Sequence, residues 1–281
     1  MIEVSHLTKK YGGHTAVKDL SFTMEDGKIY GFLGPNGAGK STTMNIITGC
    51  LSATEGDISV GGYDIFEQPE EAKKLIGYLP EIPPLYSDCT PREYLRFVAE
   101  AKRIPKAEIQ QNLTEVMEKT GITDVADRLC GNLSKGYKQR VGIAQALLGH
   151  PKVIILDEPT VGLDPLQIIE IRELIKSLGG EHTVVLSSHI LSEVQSVCEE
   201  VVVISEGELI ACDTIENLKA RFNSAETGDA SLEEIFIELL TKKKSGVTET
   251  PDVQPGSAQQ SAVTVPGSGT ETEISKEASK S

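Results

Sequence analysis

Long apolar runs are missing from this chain. Its aliphatic stretches are short, such as "VIIL" from residue 153 and "VVVI" from residue 201. A membrane-spanning helix needs roughly 18 consecutive apolar residues, so none is expected. The opening "MIEVSHLTKK" lacks the apolar core of a leader, so secretion is not expected. Cysteine is also sparse. Cys50, Cys89, Cys130, Cys198 and Cys212 are odd in number and form no C-x-x-C pair. That argues against a disulfide framework or a zinc site, and for reduced cysteines in a cytosolic protein. Positive charge is the third shortage: 27 Lys and Arg face 42 Asp and Glu, a net charge of −15. Binding nucleic acid without regard to sequence needs a basic face for phosphates, so no nucleic-acid partner is expected.

What is present is ordinary for a globular protein. The 281 residues are 39% hydrophobic and 25% charged, enough for one large domain or two modest ones. The first sixty residues alternate strand patterns with turns, "MIEVSHLTKKYGG", "AVKDLSFTMEDGK" and "GDISVGGYDI", which predicts a small antiparallel layer. Residues 91–150 read as helical. "PREYLRFVAEAKRI" opens with Pro91 behind the cap Thr90, "KAEIQQNLTEVMEKT" stops at Gly121, and a third helix runs from Lys135 to Gly149. The strand patterns "VIILD", "TVVLSS" and "EVVVIS" then alternate with "PLQIIEIRELIKSLGG" and "ILSEVQSVC". Apolar strands alternating with amphipathic helices predict a parallel sheet under helical cover. "SLEEIFIELLTKKK" reads as a last helix capped by Ser231. Residues 245–281 nearly lack aromatic and large aliphatic groups and carry −3 of the net charge, a composition expected to stay disordered.

Two stretches carry chemistry directly. "GPNGAGKS" (34–41) fits G-x-x-x-x-G-K-[ST] and lies between an apolar strand and a helix, where a phosphate loop belongs. Its glycines let backbone N–H groups face phosphate oxygens, and the helix N-terminus adds a favourable dipole. Lys40 is then the β- and γ-phosphate cation, Ser41 a Mg²⁺ ligand and Thr42 a phosphate donor. "VIILDEPT" (153–160) brings Asp157 and Glu158 to the carboxyl edge of a buried strand, the edge where parallel sheets bind ligands. Asp157 is expected to hold Mg²⁺ through water and Glu158 to act as general base. His189, after "TVVLSS", reaches either the γ-phosphate or Glu158. Tyr11, before a Gly-Gly turn, either stacks on adenine or packs on the sheet.

The phosphate loop, "LSKGYKQR" (133–140), "ILDEPTVGLDP" and "SSH", in this order and spacing, resemble the ATP-binding subunit of ABC transporters. The resemblance runs from about residue 2 to 240, and "IGYLPEIPPLYSDCTPREYL" is similar to the bacterial ABC-2-type exporter branch. It implies an α/β fold: a P-loop NTPase core with a parallel sheet, an N-terminal antiparallel β layer and an inserted helical subdomain. The expected domains are 1–225 for nucleotide binding (helical subdomain about 83–150), 226–244 as a C-terminal helical extension and 245–281 as the tail. By resemblance Tyr11 stacks on adenine. Gly34, Pro35, Asn36, Gly37, Ala38, Gly39, Lys40, Ser41 and Thr42 hold the phosphates. Asp157 serves Mg²⁺, Glu158 is the catalytic glutamate, Asp164 lines a subunit interface and His189 is the switch histidine. Glu81 stands where the wider family has a metal-contacting glutamine, which leaves its Mg²⁺ contact open. Lys135 and Tyr137 depart from the usual Leu-Ser-Gly-Gly-Gln, while Ser134 and Gly136, the groups that touch a γ-phosphate, are kept.

The resemblance implies an ATPase that closes head-to-tail around two ATP molecules, with a second copy or a paralogous chain. It drives an integral membrane permease from the cytoplasmic face of the cell membrane, in the export direction. Two other classes compete. Ribosome- or DNA-acting ABC ATPases resemble fused pairs or carry long coiled coils, and this chain has neither feature. A regulatory ATP-binding module without turnover is disfavoured by Glu158 and His189, though the altered signature keeps it open. Why a second Ser-x-Gly turn exists is answered the same way: Ser134 serves the nucleotide of the other subunit.

Overall fold

A computed structural model describes residues 1–222 and 231–244; the tail expected to be disordered lies outside them, as do residues 226–230. The chain runs β1 (Ile2–Tyr11), β2 (His14–Met24), β3 (Ile29–Leu33), α1 (Lys40–Ile47), β4 (Glu55–Val60), β5 (Tyr63–Asp64), α2 (Pro69–Lys74) and β6 (Ile76–Leu79). Three helices follow, α3 (Pro91–Ala101), α4 (Lys106–Thr120) and α5 (Lys135–Leu147), with short 3-10 turns before α5. Then come β7 (Val153–Asp157), α6 (Pro165–Leu178), β8 (Thr183–Ser188), α7 (Leu191–Val197), β9 (Glu200–Ser205), β10 (Glu208–Thr214), α8 (Ile215–Phe222) and α9 (Leu232–Lys244).

Two sheets result. The first has strand order β2-β1-β4-β5, all antiparallel. The second has order β10-β9-β3-β8-β7-β6, parallel except for the β9–β10 hairpin. Both expected layers are present. Strands β3, β7 and β8 are buried at every residue, as their unbroken apolar runs require when both faces are covered. Alternate residues serve two cores. Tyr30, Phe32, Ile155, Val185 and Val202 pack with α1 and the antiparallel sheet. Leu156, Leu186, Val201 and Val203 pack with α4–α7, and α9 adds Leu232 and Ile235 to this side.

The helix ends follow local chemistry. Thr90 Oγ1 accepts from the Glu93 N–H at 3.3 Å and the Thr90 N–H donates to the Glu93 carboxylate at 2.9 Å, a closed capping box with Pro91 at the first turn. Thr90→Ala is expected to lower stability by about 1 kcal/mol, measured as a shift in urea midpoint at constant slope. Along α6, Ile171, Leu174, Ile175 and Leu178 are buried, the stripe that the spacing predicts; Ile168 is half-buried, while Leu166 and Ile169 face out. Helices α2 and α8 are additions to the sequence reading. In six-residue α2 only Ala72 is buried, too little for a helical period to show.

Candidate functional site: a phosphate loop beside paired carboxylates

The phosphate loop is held by its neighbours. Strand β3 delivers the chain at Leu33, and α1 takes it up at Lys40. Gly39 has φ 102°, and a β-carbon there would lie 2.6 Å from the Ala16 carbonyl oxygen of β2. Only glycine meets both demands. The Ala38 carbonyl accepts from the Gly207 N–H at 3.0 Å, in the turn between β9 and β10. Pro35, Asn36 and Gly37 are exposed, as is Ser41, and Thr42 is half-buried. Helix α1 has no side-chain cap, unlike α3, α5 and α6. Its first N–H groups therefore remain available to an anion.

Lys40 is buried, and its ammonium donates to the Gly34 carbonyl at 2.7 Å. Burial holds its pKa below the usual lysine value, while Glu158 and Asp157 pull it back up. The carboxylate pair and the loop lysine thus share one electrostatic neighbourhood.

Asp157 ends β7 opposite Ser187 of β8. Asp157 Oδ1 and Ser187 Oγ are both buried without a hydrogen-bond partner. Two residues back along the strands, Ile155 and Val185 face α1, so strand alternation turns Asp157 and Ser187 toward that side as well. Orphaned buried oxygens are costly, and here they lie under the phosphate loop. They fit a ligand supplied from outside. Among the described residues no three His, Cys, Asp or Glu side chains form a cage. Buried oxygens of this kind, a carboxylate beside a hydroxyl, are the chemistry of a small hard cation shared with phosphate and water.

Glu158 sits at φ 49°, a left-handed conformation uncommon for this residue. Its N–H donates to the Ser187 carbonyl at 3.0 Å. His189 Nδ1 lies 2.9 Å from Glu158 Oε2, with the Glu158 side chain only 13% exposed. Of the two sequence readings of His189, reach to Glu158 is realised directly.

The remaining predicted residues form a second edge. Ser134 caps α5, its Oγ accepting from the Tyr137 N–H at 3.3 Å, and the side chain is exposed. Gly136 is buried against α6: a β-carbon there would lie 2.7 Å from Gln167. Asp164 caps α6 through the N–H groups of Leu166 and Gln167. A β-carbon on Gly162 would collide with the Lys135 ammonium, so that cation rests over the Val161–Asp164 turn of its own chain. The Tyr137 hydroxyl donates to Asp124 at 2.9 Å, which raises its pKa. Among the described residues no hydrogen bond joins Ser134, Gly136 or Asp164 to Lys40, Asp157 or Glu158. Glu81 follows β6, whose Leu79 pairs with Leu156, and is exposed at the rim of a cavity of about 510 Å³ lined also by Ile82, Lys135, Gln139 and Val161. Tyr11 is 48% exposed, with the Lys9 ammonium 5.3 Å from its ring centroid.

Sequence reasoning missed the groups behind this edge. Thr160, Ser187, Ser188 and Glu193 are buried polar residues next to Asp157, Glu158 and His189. The available signal was a carboxylate on α7 adjoining Val194 and Val197, its apolar side.

Known proteins show which family the chain belongs to. The family model described as "ABC transporter" matches residues 17–161. The chain is 42% identical to the bacitracin transport ATP-binding protein BcrA of Bacillus licheniformis, covering 79% of this chain and 72% of that protein. It is 38% identical to the linearmycin resistance ATP-binding protein LnrL of Bacillus subtilis, covering 79% and 71%. Its fold superposes on the ATP-binding cassette MJ0796, solved as a dimer in a post-hydrolysis state bound to ADP and Pi. The TM-score is 0.68 at 26% identity, covering 76% of this chain and 99% of that one. This chain belongs to the ABC transporter family, as one of its ATP-binding, ATP-hydrolysing subunits.

Proposed function

We propose that this subunit binds ATP on its phosphate loop and hydrolyses it only when the Ser134 edge of a second nucleotide-binding chain closes over it. The observation that carries the reading is that the two sets of residues are held by different parts of the fold. Asp157 and Glu158 act on the Lys40 ammonium and Glu158 contacts His189, whereas Ser134, Gly136 and Asp164 are held at the starts of α5 and α6 and, among the described residues, have no hydrogen bond to that group. A head-to-tail pair with two-fold symmetry brings each edge to the other copy's nucleotide. Lys40 then exchanges the Gly34 carbonyl for the β- and γ-phosphates, and the N–H groups opening α1 receive the same oxygens. Glu158 takes the proton of the attacking water, and His189 fixes the Glu158 carboxylate and reaches toward the γ-phosphate. Ser134 Oγ and the α5 N-terminus approach the γ-phosphate from the other chain. A Mg²⁺ ion would be held by Ser41 and Asp157, with Glu81 nearby, and would supply charge neutralisation at the phosphates. Tyr11 is read as the adenine platform.

The partner is read as an integral membrane permease, with this chain at the cytoplasmic face of the membrane and transport outward. Among the described residues no helix is long and apolar enough to cross a membrane. Exposed Ile82, Tyr86 and Phe97 offer apolar anchors beside the Glu81 cavity. Residues 1–225 are read as the nucleotide-binding domain, with 83–150 as its helical subdomain and 226–244 as an extension. The test is purification of the full chain from native membranes. An integral membrane protein should co-purify. Ile82→Glu should cut its recovery about tenfold, the scale of one lost apolar anchor, with ATP binding unchanged. Undiminished recovery would move the docking surface elsewhere.

A further inference from the structure

Glu193 of α7 is 1% exposed and lies at the junction of three functional segments. Its Oε2 accepts from Thr160 Oγ1 at 2.7 Å and from Ser188 Oγ at 3.1 Å. Thr160 belongs to the turn after Glu158, in which the Val161 N–H donates to the Glu158 carbonyl and the Leu163 N–H to the Thr160 carbonyl. Ser188 precedes His189, and Ser188 Oγ also accepts from the Ile190 N–H at 3.0 Å. One carboxylate therefore anchors the turn after Glu158 and both flanks of His189. On its other side, Glu193 Oε1 is 3.5 Å from an Arg172 nitrogen. Arg172 is on α6, the helix capped by Asp164.

Stability alone does not account for this carboxylate. Burying a charge costs several kcal/mol, and an apolar side chain at such a site often serves the fold as well or better. The pair is also incompletely satisfied, since Glu193 Oε1 and Arg172 Nε are buried without hydrogen-bond partners. What the carboxylate supplies is a side-chain tie between the turn at Thr160 and the segment at Ser188, just past the last backbone bond of the β7–β8 pairing, Glu158 N–H to the Ser187 carbonyl.

We infer that Glu193 is a positioning residue that sets the Glu158–His189 contact through Thr160 and Ser188. The inference rests on the roles given to Glu158 and His189 in the proposed function. The test is steady-state ATP hydrolysis by the full chain, in the complex with which it purifies. Glu193→Gln should lower kcat by about 10- to 100-fold, the usual scale for a group that orients a reacting one. KM for ATP should stay within about twofold, because Lys40 and the phosphate loop are untouched. A merely structural role would also predict lost turnover, so the deciding readout is a double-mutant cycle. In a His189→Ala background, Glu193→Gln should add almost nothing, since its effect runs through His189. Thr160→Val should reproduce part of the kcat loss, and it carries the same test if Glu193→Gln does not fold. Full turnover in the folded variant, or an equal further loss in both backgrounds, overturns the inference. Retained turnover in His189→Ala alone would instead overturn the reading on which it rests.

Discussion

Glu158→Gln is expected to lower the kcat of ATP hydrolysis by on the order of 10³-fold, within the range that general-base catalysis contributes. ATP binding should remain. The carboxylate lies beyond β7 at positive φ, its backbone tied to Ser187 and its Oε2 2.9 Å from His189. An amide keeps the size and one acceptor but cannot take a proton from water. Charge near Lys40 also changes. Glu158 is one of two carboxylates that raise the Lys40 pKa against the effect of burial, so removing its charge leaves the ammonium more dependent on a bound phosphate for its counter-charge. The chain should therefore accumulate, with ATP present, as a dimer that does not reopen. Size-exclusion chromatography with and without ATP checks it. Turnover at the wild-type rate in a clean preparation would remove Glu158 from the role of base.

Ser134→Arg should have a comparably large effect by another route. Ser134 is exposed at the start of α5 and, among the described residues, has no hydrogen bond to Lys40. An arginine there removes a cap, which costs about 1 kcal/mol, and places a long cation where a second chain's nucleotide must enter. Equilibrium ATP binding should be unchanged, while kcat falls at least ~100-fold, the scale of losing an aligned transition-state contact. The Glu158→Gln, Ser134→Arg double variant should stay monomeric in ATP. Ser134→Ala separates the causes, because it removes the cap without adding bulk.

The parts legible in the sequence were those with local causes. The phosphate loop shows because glycine, lysine and serine must recur at fixed spacing between a strand and a helix. Helices α3 and α4 show because Thr90 and Gly121 mark their ends, and α6 shows because its apolar stripe is periodic. The strand order was not legible, since β3 lies between β8 and β9 through long crossovers that leave no mark on neighbouring residues. The Glu193 junction was invisible for the same reason. Thr160, Ser188, Glu193 and Arg172 meet only once β7, β8, α6 and α7 are packed. Where Lys135 points was not legible either, and the close approach of Gly162 puts its ammonium over the 161–164 turn.

The central claim is that each nucleotide is bound by one chain and closed by another, and a mixing experiment tests it. Lys40→Ala removes the phosphate cation but keeps the Ser134 edge. Ser134→Arg does the reverse. Each variant alone should be nearly inactive. Unfolded together and refolded as a mixture, or co-expressed, they form pairs with one intact composite site. Random pairing in a two-fold dimer then restores roughly a quarter of the wild-type sites. ATP turnover of the mixture well above the sum of the separate variants is the predicted result. Turnover no greater than that sum would contradict the account.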